Sequence, residues 1–370
     1  MKIVKTYNSK KLKKEAILCS YAMDIGNHCP MDYMLEEAQM FDDLNTLVVG
    51  IGECAFYSKL ITFGNRSKHY SYRLLDNDLV FGCEKSIRQC VTSMLADNDD
   101  SLLVLVTCIP NIANLDIASY LSGLDGSDRV YLLAVPHFIG FSPSDSVYDF
   151  YSLLAKRLPK KSIKNGLALW TTLDVDMPLQ GERLGDKLSL DKLSNMLCYS
   201  DQVVLKKKYL KGVSEFCERN NRRFYDFTDI KTSAEYRAYY EQLGIDTTIC
   251  DTVKHYEDQL ACNKLSVAVK SRWGVEVAKF LSNLGIKTSL LIVDDFNSNS
   301  YDQITSVQDE ITIVNSYSST LEQISNHTYK YDFALDLSKL DYALSQLYGC
   351  QRTARLCTEI LNIINNGGNK

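Results

Sequence analysis

The stretch TLVVGIGECAFYSK, residues 46–59, decides the fold. TLVVG is a short, continuous apolar run of the kind that fills a buried strand. Gly50-Ile51-Gly52 then makes a tight turn, and Cys54 falls where a helix begins. The run LLVLVTC, residues 102–108, repeats the arrangement, with Pro110 placed to open the next helix. Strands of this kind alternating with helices predict a parallel sheet covered on both faces. Such sheets bind ligands in the crevice at the carboxyl ends of their strands. Cys54 and Cys108 both stand at that end, so they can point into one crevice. There a thiolate meets free backbone N–H groups and the positive end of a helix dipole. Cysteine is also a soft ligand suited to zinc and iron–sulfur clusters. The plainer alternative for either residue is a core cysteine.

Outward from this stretch the same rhythm continues. Expected strands are 46–50, 78–82, 102–108 and 130–135, then 166–171, 201–206 and 222–227, then 265–270, 288–295, 311–316 and 331–337. Helical patterns separate most of them, as in SDSVYDFYSLLAKRL and in SRWGVEVAKFLSNLG, which ends at Gly285. Groups of four, three and four strands predict an α/β chain of three Rossmann-like domains. Their sheets would be mostly parallel and flanked by helices, with a cofactor cleft between the domains. The expected boundaries are 1–160, 161–260 and 261–370. A last helix is expected over roughly 340–366.

The 370 residues are 45% hydrophobic and 24% charged, with a net charge of −5. That balance argues against a general nucleic-acid binder. No apolar run approaches the ~20 residues of a membrane span, and no signal sequence is expected. A cytoplasmic location follows as the expectation, with no membrane partner. Twelve cysteines in that setting do not read as disulfides. No Cys-x-x-Cys pair occurs, so a metal site must gather cysteines distant in the chain. Cys19 and Cys29 precede the first expected strand, 35 and 25 residues before Cys54.

Other residues weigh less. Cys83 and Cys90, and Cys350 and Cys357, are seven apart and suit core-facing helix stripes; Cys83 could also line the crevice. Cys198, Cys217, Cys250 and Cys262 share no pattern and read as core. His137 at a strand end can face a cavity, Lys270-Ser271-Arg272 can bind an anion, and Asp294-Asp295 reads as a cap or solvated edge. Gly50-Ile51-Gly52-Glu53-Cys54-Ala55 also matches the dinucleotide fingerprint, which makes a nicotinamide dehydrogenase a rival. The acidic residue that should end the second strand is missing from Val80-Phe81-Gly82-Cys83. No P-loop motif for ATP occurs.

The first 160 residues resemble component 1 of the nitrogenase superfamily. The resemblance is carried by Cys29, by Gly50 to Ser58 around Cys54, and by Thr107-Cys108. Val80-Phe81-Gly82-Cys83-Glu84-Lys85, Asn111 to Ile117 and Val135-Pro136-His137-Phe138-Ile139-Gly140 extend it. It implies three Rossmann-like domains. It also implies an iron–sulfur cluster (4Fe-4S or P-cluster-like) at a subunit interface, held here by Cys29, Cys54 and Cys108, with Cys19 as runner-up for the first position. A paralogous component-1-like subunit or a second copy would complete the cluster, and an ATP-dependent iron protein would donate electrons.

The chain also departs from that pattern. Val49-Gly50-Ile51 replaces the usual His-Gly-Pro, and Lys206-Lys207-Lys208 stands where a second-domain cysteine would hold a catalytic metal cluster. Tyr348-Gly349-Cys350-Gln351 lacks the C-terminal histidine, His327 being the nearest. These departures point away from dinitrogen reduction and a molybdenum cofactor. A nitrogenase-like reductase of another substrate, or a non-catalytic cluster or cofactor assembly scaffold, is expected instead.

Overall fold

The computed structural model describes residues 6–8, 29–62, 68–97, 99–137, 142–159, 161–172, 179–185, 187–263, 266–271, 273–293, 303–304, 312–315 and 333–366. After β1 (Thr6–Asn8), the first sheet comprises β2 (Leu44–Gly50), β3 (His69–Arg73), β4 (Ser101–Val106) and β5 (Val130–Ala134). Its order is β3-β2-β4-β5, and every pairing is parallel. The chain runs from β2 outward to β3, then reverses across β2 to β4. The carboxyl ends of β2 and β4 therefore form a topological switch point, the place where such sheets open a ligand crevice.

The second sheet comprises β6 (Lys164–Trp170), β7 (Glu182–Arg183), β8 (Tyr199–Val204) and β9 (Arg223–Asp226), in the equivalent order β7-β6-β8-β9. The third comprises β10 (Ser266–Lys270), β11 (Lys287–Val293), β12 (Thr312–Asn315) and β13 (Phe333–Asp336), parallel in the order β12-β11-β10-β13. To its edge β1 adds antiparallel to β12. The α/β class with three mostly parallel sheets is thus as expected. The middle sheet has a short fourth strand, β7, and the third gains β1; neither was anticipated, being only two and three residues long.

By its internal contacts the chain divides into two units. One is Leu18–Leu173 with Gly181–Phe224; the other is Met1–Ile17, Asp174–Gln180 and Tyr225–Lys370. In the first unit, alternate residues of β2 and β4 serve two cores. Val48, Leu103 and Leu105 pack with Met31, Met34 and Leu35 from helix Pro30–Ala38 and Phe150 and Leu154 from helix Pro143–Arg157. Leu47, Val49, Leu102 and Val104 pack with Ile87, Val91 and Leu95 of helix Glu84–Asp97. Each such side chain contributes about 1.5–3 kcal/mol when fully buried. Helix Pro143–Arg157 starts where Ser142 accepts a hydrogen bond from Asp145 N at 3.1 Å, with Pro143 in its first turn.

Two expected elements differ. The run DLVFG is no strand; residues Asp76–Phe81 are helical. The Asp78 carboxylate accepts the Leu75 N–H at 2.9 Å, and Gly82 at φ +84° ends the turn. The second strand is instead His69–Arg73, whose polar side chains gave no apolar signal. The expected last helix is broken into Asp341–Gln346 and Gly349–Asn365. Gly349 has φ +56°, and a Cβ there would stand 2.4 Å from the Tyr240 hydroxyl. Only glycine accommodates both.

Candidate metal centre

Cys54 lies in the first turn of helix Gly52–Thr62, directly after β2. Cys108 is the first residue of helix Cys108–Ile112, after β4. Cys29 precedes helix Pro30–Ala38, with extended backbone and Pro30 in the first helical turn. The three thiols come from three separate segments and lie within electrostatic reach of one another. All three are free. Cys19 lies outside the described residues.

The close fit depends on Gly50. A Cβ at that position would stand 2.5 Å from Thr107 Oγ1, 2.9 Å from Cys54 Cβ and 3.2 Å from Cys54 Sγ. Thr107 in turn ties the two strand ends together, its N–H and its hydroxyl both donating to Val49 O at 3.1 Å. The His137 N–H donates to Cys108 Sγ at 3.2 Å. His137 thus approaches the site through its backbone, a role its residue type did not signal.

Burial works against the thiolate form expected at Cys54, and against that of Cys29. Burial pushes the Cys29 thiol up to about 12, and Asp32, Cys108 and Cys54 raise it further against a lowering contact with the Met31 backbone. Burial also raises the Cys54 thiol, outweighing lowering contacts with Thr107 and the Ile51 backbone. The helix dipoles are too weak to offset this desolvation. A bound metal centre would displace these protons, since thiolates rather than thiols are ligands.

Among the described residues, no three His, Cys, Asp or Glu side chains converge closely enough to hold a single metal ion. The donor set is otherwise suited to a polynuclear cluster. It consists of soft sulfurs alone, supplied by three of the four cysteines that commonly hold such a cluster.

Cys83 belongs to the opposite core with Ile87, Val91 and Leu95, in steps of four, so it does not line the crevice. Cys90 is off that stripe and half-buried. Cys350 and Cys357 are fully buried, as a core stripe requires. Sequence spacing gave no hint that Cys250 Sγ and Cys350 Sγ lie 3.2 Å apart. Asp116 accepts the Ser119 N–H at 3.0 Å and caps helix Ile117–Leu121. Lys208 pairs with Glu37 at 2.7 Å, in a partly buried network with Tyr151. Ser271 is hydrogen-bonded to Asp341 and Trp273. Arg272, Asp294, Asp295 and His327 lie outside the described residues.

The strand that would carry the dinucleotide acid is His69–Arg73, because residues Asp76–Phe81 are helical. The true second strand ends at Arg73, whose guanidinium stands beside Gly52. The acid that would read a ribose hydroxyl is still absent from that strand end.

His69 is a further residue that sequence reasoning missed. Its Nδ1 lies 2.9 Å from Thr46 Oγ1 and its Nε2 3.0 Å from Ser58 Oγ. Ser58 donates its own proton to Ala55 O at 3.0 Å. Nε2 therefore donates to Ser58, and Nδ1 accepts from Thr46. Burial, helped by Lys59, lowers the His69 pKa from 6.5 to about 4. The unfolded chain then binds the extra proton first, so acid favours unfolding. Stability should fall as pH drops from about 6.5 to 4, by a few degrees in Tm, and His69→Gln should flatten that slope. Thermal melts across this window measure it.

Three mostly parallel α/β sheets, with Cys54 and Cys108 just beyond the carboxyl ends of β2 and β4, define the class of fold. The chain is similar to the solved structure of nitrogenase Cp1 at pH 6.5, with a TM-score of 0.55 and 12% sequence identity, covering 92% of this chain and 93% of that one. The structure of nitrogenase Cp1 at pH 5 gives a TM-score of 0.51 at 10% identity, covering 92% and 88%. The chain thus has the nitrogenase component 1 fold. No family model and no curated protein matches the sequence.

Proposed function

We propose that this chain is a subunit of a nitrogenase-like reductase, in which Cys29, Cys54 and Cys108 hold an iron–sulfur cluster at a subunit interface. The observation that carries the reading is that three free thiols from three segments lie within electrostatic reach of one another, two of them just beyond the ends of β2 and β4. When bound, the cluster would accept and pass single electrons. The chain's own part is to supply three sulfurs, to hold them through Gly50 and Thr107, and to donate the His137 N–H to one of them. An ATP-dependent iron protein is the electron donor in this reading. At the second sheet's switch point, β8 leads into Lys206-Lys207-Lys208, which offer no soft ligand. The chain is therefore assigned electron transfer, and the reduced substrate is left open.

A partner subunit is supported by surface chemistry. Helix Gly52–Thr62 buries only Ser58, while Phe56, Tyr57 and Leu60 are exposed. Val80 and Phe81 are 73% and 83% exposed, and Ile112 is exposed on the Cys108 helix. Apolar surface of this kind marks an interaction site. The double variant Phe56→Glu with Leu60→Glu should shift the assembly toward free subunits in sedimentation, because buried charge opposes docking. An unchanged assembly would remove this face from the interface.

The cluster assignment is tested by anaerobic purification with the partner, followed by iron, sulfide and EPR analysis. Cys54→Ala and Cys108→Ala should each lose the wild-type signal. Retention of that signal in both would sink the ligand assignment. Release of an intact cluster to an acceptor, without repeated reduction, would favour the assembly-scaffold alternative. Equilibrium binding of NAD(P)H would favour the dehydrogenase.

A further inference from the structure

We propose that His69 is a positioning residue that fixes Cys54 in the crevice by clamping the Cys54 helix to the sheet. Surface helices are normally held by an apolar stripe. Helix Gly52–Thr62 lacks one: its aromatic and leucine side chains face outward, and the single fully buried residue is the polar Ser58. Half-buried Cys54 and Ile61 supply its apolar contact with the core. Polar ties do the rest. Ser58 stands one turn after Cys54 on the same face and bonds His69 Nε2 at 3.0 Å, while His69 Nδ1 bonds Thr46 of β2 at 2.9 Å. The imidazole thus bridges helix to strand. Gln39 Nε2 donates to Ile61 O at 3.2 Å and secures the far end.

Removing the bridge frees the helix to rotate about its axis, which moves Cys54 while Cys29 and Cys108 stay on their own segments. Cys54's role as a ligand rests on the function proposed above; the clamp does not. The test is therefore made on the metal-free chain, by pulsed iodoacetamide labelling with peptide mass spectrometry. In His69→Ala the labelling rate of Cys54 should rise about tenfold, the combined effect of losing two hydrogen bonds of modest net strength. Cys29 and Cys108 should stay within about twofold. His69→Gln, which keeps a donor toward Ser58, should restore most of the protection. Thr46→Val, which keeps the shape and removes one bond, should give an intermediate rate even if His69→Ala loosens the fold. An unchanged Cys54 rate in both His69→Ala and Thr46→Val would overturn the proposal, as would equal rises at all three cysteines. A wild-type protein that takes up no iron and sulfide would sink the ligand reading and leave this result standing.

Discussion

Replacing Arg352 by methionine should destabilise the chain by about 4 kcal/mol, although the side-chain volume is nearly kept. Arg352 is 1% exposed. Its Nε donates to Leu347 O at 2.9 Å and Leu344 O at 3.1 Å, where helix Asp341–Gln346 ends. Its Nη1 donates to Thr228 O at 2.8 Å and Phe227 O at 3.2 Å, just beyond β9. The guanidinium also lies 4.4 Å from the Trp273 ring centroid and 5.3 Å from that of Tyr348. One planar cation thus satisfies carbonyls from two separate loops. Methionine would leave them buried and unpaired, and that penalty exceeds any gain from removing a buried charge. Arg352→Lys should recover only part of the loss, because an ammonium cannot copy the fork. Thermal and urea denaturation measure both variants. A Tm within about 2 °C of wild type for Arg352→Met would contradict the account.

Gly50→Ala should disrupt the candidate site more than any other single-methyl change. The backbone at Gly50 is not left-handed, so the obstacle is space alone. The new Cβ would press on Thr107 Oγ1 at 2.5 Å and on Cys54 Cβ at 2.9 Å. Thr107 cannot yield without breaking its bond to Val49 O. Cys54 must therefore move. Overpacking of this kind costs about 1–3 kcal/mol, a drop of several degrees in Tm. Under the proposed function the larger effect should fall on cluster content, because Cys54 is one of the three proposed ligands. Iron content equal to wild type in a folded Gly50→Ala protein would show that Cys54 position does not matter.

The parallel sheets were legible because their strands are buried on both faces and read as unbroken apolar runs. TLVVG and LLVLVTC are of this kind, and they carried Cys54 and Cys108 to the correct sheet edge. The same rule misled at DLVFG. Its Val80 and Phe81 are apolar but exposed on a short helix, which an acidic residue caps. An apolar run thus lay on the surface rather than in the core. The converse error hid β3. His69-Tyr70-Ser71-Tyr72-Arg73 is polar because it is an edge strand, and His69 was overlooked with it. The burial of the thiols was not legible either. Helix position is visible in sequence, but the burial that raises Cys29 and Cys54 depends on packing from segments far along the chain.

Whether Cys29, Cys54 and Cys108 hold a cluster is measured most directly by metal and sulfide content. Iron and acid-labile sulfide are quantified per chain after anaerobic isolation with the partner subunit, for wild type and for Cys29→Ser with Cys54→Ser and Cys108→Ser combined. Wild type should contain both elements in matching amounts, and the triple variant should be folded and contain neither. Equal iron and sulfide in the triple variant would place the cluster elsewhere and contradict the account.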